Sequence, residues 1–232
     1  MGLGGKIFMY HYLSDPNFKN ALKKEGSKLS QELCHQLKID YEIGSRIQLI
    51  GSAKRNMITQ NENEPVDLDY NLVIVKTPIK DGRELKNAIM KSFNKVLRRN
   101  GYDDCQDSTS AISTRYYSFK KGNQTEFKFD IGIVKEDKEG NWQRLIHLKT
   151  GSVQSDTWIW NKTPETRNIK AKEAFIKSKG KWNLLKERYL KYKNDNLRFN
   201  NNDLYSFTCY EKAVNDVYNQ LQLSSLVNHG RV

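Results

Sequence analysis

The sequence predicts an α+β fold, a mixed β-sheet with flanking helices followed by a C-terminal helical domain. Three observations predict it. Strand-like runs near 46–52, 66–75, 114–120, 126–134 and 142–148 are interleaved with two helical stretches. Beyond Pro164 the strand pattern stops and only helical spacing recurs. The charge changes there too: residues 161–200 hold twelve Lys and Arg against four acids, eight of the chain's twelve net positive charges. The expected division is residues 1–155 for the sheet, with a long N-terminal helix, and 156–232 for the basic helical part.

Each element has its own signal. Asp15-Pro16 joins an N-cap residue to a proline at the first helical position. Phe18, Leu22, Leu29, Leu33 and Leu37 follow at helical spacing, so the first helix is predicted to run to about Leu37. Arg46 to Ser52 reads as a short strand ending in a turn, and residues 53–66 as a polar stretch with an exposed loop at Asn61–Pro65. Val66 to Val75 alternates and then runs apolar, as a central strand does. Asp81 and Glu84 resemble a capping box, and the helix after them ends at Gly101. Thr114–Lys120 and Glu126–Val134 flank Lys121-Gly122-Asn123 and predict a hairpin, with Trp142–Leu148 as an edge strand. Helices are predicted over roughly 164–194 and from Asp203 to about Leu223, parted by an Asn-rich segment at 194–202.

Composition excludes several classes. Twenty-five aromatic residues in 232 are too many for a disordered polyampholyte. No run approaches the ~18 apolar residues of a membrane span, and no apolar run follows the first charge as in a signal peptide. Three distant cysteines argue against a disulfide framework and Cys-ligated zinc, and point to a reducing, cytoplasmic setting. Four scattered histidines form no metal-ligand spacing. The surplus of 39 Lys and Arg over 27 Asp and Glu attracts polyanions.

Three carboxylates carry the chemistry. Asp67 and Asp69, two apart on a predicted strand, project to the same face with Cα atoms ~6.6 Å apart. Asp130 interrupts an apolar strand, where a carboxylate is costly unless it is paired. If the two strands are neighbours, the three converge. Such an oxygen-only set suits Mg²⁺ or Mn²⁺. Two ions ~3.5–4 Å apart would activate a hydroxyl and stabilise a leaving pyrophosphate. Gly51-Ser52, followed by Lys54 and Arg55, supplies backbone N–H groups, a hydroxyl and positive charge for phosphate oxygens.

In this order and context, Gly51-Ser52, Asp67/Asp69 and Asp130 resemble the DNA polymerase beta-type nucleotidyltransferase superfamily. Trp160-Asn161-Lys162-Thr163-Pro164 and the segment Leu204 to Glu211 resemble the oligoadenylate synthase-like and bacterial dinucleotide-cyclase-like (CD-NTase) branch. The resemblance spans about residues 46–215. It implies a nucleotidyltransferase-type sheet, two metal ions on Asp67, Asp69 and Asp130, and an NTP donor, ATP foremost. It gives Asp130 a share in deprotonating the acceptor hydroxyl, gives Ser52 the β- and γ-phosphates, and makes Lys191, Lys193 and Ser206 nucleotide contacts. Tyr116, Tyr117 and Trp160 would be available to stack on a base.

The expected activity is nucleotidyl transfer to a hydroxyl, making a cyclic or linear oligonucleotide. Transfer to a small molecule, a protein or an RNA end is the alternative within the same chemistry. A catalytically silent nucleotide- or RNA-binding module is the alternative outside it.

Overall fold

The computed structural model describes residues 9–152, 154–164, 166–199 and 206–229. In chain order the elements are β1 (Tyr10–Tyr12), α1 (Pro16–Tyr41), β2 (Gly44–Leu49), α2 (Gly51–Lys54), β3 (Thr59–Asn61), β4 (Val66–Lys76) and α3 (Gly82–Arg99). There follow β5 (Gln106–Asp107), β6 (Ile112–Ser113), β7 (Phe127–Glu136), β8 (Trp142–Leu148), β9 (Thr157–Lys162), α4 (Arg167–Ser178), α5 (Trp182–Arg198) and α6 (Ser206–His229). They form two packing units. One spans 13–58 and the described residues of 63–163, and the other joins the described residues up to Tyr12 and Thr59–Glu62 to those from Pro164 onward.

In the first unit, Asp15 caps α1 as its sequence predicts. Its Oδ1 accepts from the N–H groups of Asn17 (2.9 Å) and Phe18 (3.0 Å). The predicted apolar stripe from Phe18 to Leu37 is buried. The helix runs on to Tyr41, because no glycine or proline intervenes, and stops where Glu42 turns left-handed.

The sheet is mixed, in the order β2-β4-β7-β6-β5, with β8 against β7 and β9 outside β8. β2 is antiparallel to β4, and β4 is parallel to β7. A parallel pair needs a long crossover, and α3 lies within it. Asp81 caps α3 through the Glu84 N–H at 2.9 Å. Val66, Leu68, Tyr70, Leu72 and Ile74 of β4, with Phe127, Phe129, Ile131 and Ile133 of β7, share a core with the apolar stripes of α1 and α3. Alternate residues of both strands therefore face away from that core.

Three elements differ from expectation. Thr114–Lys120 is no continuous strand: β6 precedes it, and Tyr117 makes a single bridge to Phe127. There the Thr114 hydroxyl accepts from the Phe129 N–H (2.9 Å), taking a ladder position with a side chain. β8 is not the edge, because β9 pairs outside it from Gln143↔Lys162 to Leu148↔Thr157. The sheet thus claims 157–162, beyond the expected division at 155. β3 arises inside the predicted polar stretch because β1, some fifty residues earlier, pairs with it. Near the β8–β9 end, His147 stacks on Trp158 and holds Asp107 (2.7 Å) and Asp156 (2.8 Å) on its two ring nitrogens.

In the second unit one predicted helix is two. Gly180, at φ 65°, parts α4 from α5. Ile176, Leu185, Tyr189, Tyr210, Ala213, Val214 and Val217 are buried. The β1–β3 ribbon belongs here: Asn194 Oδ1 accepts from the Tyr10 N–H (2.6 Å), and Lys193 donates to Thr59 Oγ1 (2.7 Å) while lying 3.7 Å over the Tyr10 ring. α5 extends to Arg198 through the start of the Asn-rich segment, and 200–205 lie outside the described residues. No helix among the described residues is long and apolar enough to cross a membrane.

Gly26 tests the core. A Cβ there would fall 2.8 Å from a Phe129 ring carbon and closer still to the Tyr70 hydroxyl. Gly26→Ala is expected to lose about 1–3 kcal/mol of stability by overpacking, despite alanine's higher helix propensity. Denaturant unfolding measures it, and a more stable variant would refute the close packing.

Candidate active site

The open face of β4 and β7 carries the predicted carboxylates. The parallel register sets Asp69 opposite Asp130 and Asp67 opposite Lys128. Asp67 and Asp69 alternate with buried Val66, Leu68 and Tyr70, so both leave the sheet on the same side. The structure thus brings all three carboxylates to one patch of one face.

Gly51-Ser52 is brought to the same patch. The Ile50 N–H donates to the Asp69 carbonyl at 2.9 Å, fixing the end of β2 beside β4. Gly51 then takes a left-handed φ of 63°, and a Cβ on it would fall 2.5 Å from Asp69 Oδ2. Two independent reasons therefore require glycine here. α2 is a single turn. Lys54 is exposed on it, while Arg55 turns back so that its Nη1 donates to the Gly51 carbonyl at 3.0 Å.

Lys191 and Ser206 lie in the helical unit, both exposed. Lys191 pairs with Asp195 at 3.2 Å along its own helix, and Lys193 is committed to Thr59 and Tyr10. Of the aromatics, Tyr117 packs edge-on against Tyr102 at 4.5 Å. Trp160 carries Lys135 over its ring at 4.0 Å. Tyr116 is exposed, its ring 5.8 Å from the Lys128 ammonium.

Two cations escaped the sequence reading. Lys128 Nζ stands 3.2 Å from Asp130 Oδ2 and 4.0 Å from Asp67 Oδ1. Burial disfavours its charge, but Asp130 and Asp67 outweigh burial and hold its pKa above the usual lysine value. Arg144, from β8, crosses β7 over Gly132, where a Cβ would fall 2.7 Å from its Nη1. Its Nη2 donates to Asn71 Oδ1 at 2.9 Å. Burial holds the Arg144 pKa below the usual arginine range, against the pull of Asp69. A glycine in the middle of the apolar run Ile131 to Val134 was the available signal, since such a glycine often marks a close approach.

The donor set fits a hard divalent cation. It is all oxygen, and Asp130 Oδ1 is buried with no hydrogen-bond partner among the described residues. Among those residues no three His, Cys, Asp or Glu side chains are already drawn together on one point. Instead the Lys128 ammonium sits between two of the carboxylates.

No protein-family model and no curated protein matches the sequence. Solved structures match it by fold. The STING-associated CdnE c-di-GMP synthase from Capnocytophaga granulosa is 18% identical over 88% of this chain and 61% of that one, with a TM-score of 0.53. GTP-bound DncV of Vibrio cholerae is 12% identical over 89% and 68%, at 0.59. CdnC of E. coli MS115-1 with ATP is 16% identical over 84% and 58%, at 0.53. The chain has the nucleotidyltransferase fold of these CD-NTase structures and spans about three fifths to two thirds of their lengths.

The Gly51 contact is testable against a control. Gly101 also has a positive φ, 79°, but a Cβ there meets nothing within 4 Å. Gly101→Ala should cost about 1–2 kcal/mol for the left-handed backbone alone. Gly51→Ala should cost more in the same unfolding experiment, and equal losses would refute the contact with Asp69.

Proposed function

We propose that this chain is a metal-dependent nucleotidyltransferase that moves a nucleotidyl group from an NTP to a hydroxyl, building a cyclic or linear oligonucleotide. The observation that carries the reading is the β4–β7 register, which sets Asp69 opposite Asp130, with Asp67 alongside and Gly51 against Asp69. The CD-NTase fold supports it. The solved DncV and CdnC structures contain GTP and ATP, and ATP is the donor proposed here. The free cysteines Cys34, Cys105 and Cys209 suit a reducing cytoplasm.

In this mechanism Asp67, Asp69 and Asp130 would hold two Mg²⁺ or Mn²⁺ ions. Those ions, once bound, supply Lewis-acid charge to the phosphates and to the attacking and leaving oxygens. Asp130 would also help to accept the proton of the acceptor hydroxyl. The backbone N–H groups and hydroxyl of Gly51-Ser52 take triphosphate oxygens, with Lys54 and Arg55 adding charge. Arg144 and Lys128 offset the carboxylates so that a polyanion can approach the face. The rate gain comes from positioning and charge neutralisation.

The test is incubation with each labelled NTP in Mg²⁺, Mn²⁺ or EDTA, with products resolved. Pyrophosphate release is expected only with metal, and the product identifies base and acceptor. Asp69→Asn should lower turnover on the order of 10²-fold or more with cooperative unfolding unchanged. Full turnover in Asp69→Asn, or in EDTA, would overturn the reading.

A further inference from the structure

Lys128 is an unusual residue for its position. It lies two residues before Asp130 on the same strand face, opposite Asp67 across the register, with its side chain 22% exposed. A lysine on an open sheet face ordinarily carries its charge out to water. This one turns its ammonium to 3.2 Å from Asp130 Oδ2 and 4.0 Å from Asp67 Oδ1.

Three carboxylates on one patch repel one another, and the ammonium relieves part of that repulsion. A divalent ion held by Asp67 and Asp130 would need the same space, because Mg²⁺ takes oxygen ligands at ~2.0–2.1 Å and leaves no room for an ammonium within that shell. The two cations exclude each other. A lysine suits such exchange: its charge is a compact point on a flexible four-carbon stem, whereas arginine presents a broad, fixed fork.

We propose that Lys128 is the resident cation of this site, held between Asp67 and Asp130 until a divalent ion displaces it, so that Lys128 sets the affinity of the chain for metal. This rests on the reading of Asp67, Asp69 and Asp130 as metal ligands. The ammonium holds both carboxylates in place, and it weakens metal binding by the interaction that must be broken. Once displaced, it is a free positive charge on the face that an NTP approaches.

Mn²⁺ titration of the nucleotide-free chain, read by the EPR signal of unbound Mn²⁺, tests the proposal without any turnover. Lys128→Met removes the charge and keeps most of the stem, and should bind Mn²⁺ about tenfold more tightly than wild type. Lys128→Arg keeps a charge and should not tighten binding. Metal-free Lys128→Met should also melt lower than wild type and gain more from Mn²⁺. Lys128→Gln repeats the measurement if the Met variant fails to unfold cooperatively. Wild type that binds Mn²⁺, loses it in Asp69→Asn, and binds no more tightly without the Lys128 charge would overturn this proposal and leave the triad standing. Failure of every form to bind Mn²⁺, or binding that survives Asp69→Asn, would overturn both.

Discussion

The parallel pairing of β4 with β7 is the constraint on which the site depends. Side chains alternate along a strand, so a slip of one residue would send every carboxylate into the core and every core residue out. The register is held by what lies on the other face. Phe127 and Phe129 have ring centroids 5.4 Å apart, and Tyr70 meets Phe129 at 6.2 Å. Gly26 of α1 leaves room for Tyr70 beneath the helix. Burial of the apolar face thus decides which residues stand opposite one another on the polar face. Asp69 faces Asp130 because their buried neighbours Tyr70 and Ile131 must also face each other.

With that register set, electrostatics shapes the open face. Three carboxylates would be unfavourable together, and the fold brings two of its own cations to them from different directions. Lys128 comes from within β7, and Arg144 reaches across from β8. Two glycines make this crowding possible by opposite means. Gly51 lets backbone press against Asp69, and Gly132 lets a guanidinium lie across a strand. In each place a methyl group would occupy space that a charged group now fills.

Away from the triad, polar groups are committed to holding elements together. His147 joins Asp107 of β5 to Asp156 ahead of β9 while stacking on Trp158. Lys86, almost fully buried on α3, meets Asp107 at 2.5 Å and the Ser108 carbonyl at 2.6 Å. Buried charges are tolerated only when so paired. In the helical unit Lys193 serves similarly, spanning Thr59 and Tyr10 to join the ribbon to α5. The lysine that the resemblance makes a nucleotide contact thus also has a packing contact within this unit.

Local sequence determined what local physics controls. The Asp15 and Asp81 caps, the apolar stripes of α1 and α3, the central strand at Val66 and the shared face of Asp67 and Asp69 all follow from neighbours within a few residues. So did the glycine turn before Ser52. Pairing across long separations was decided only in three dimensions. β3 exists because β1 lies beside it, β9 because β8 offers an edge, and within Thr114–Lys120 the Thr114 hydroxyl takes one ladder position while Tyr117 keeps a single bridge. The meeting of Asp130 with Asp69 was readable as a condition, since an apolar strand tolerates a carboxylate only with partners. That Lys128 shares a face with Asp130 follows from their spacing on one strand, and Gly132 marked a close approach, but the meeting of Lys128 with Asp67 and the identity of Arg144 depend on which strand lies next to which, and a single sequence holds no record of strand order.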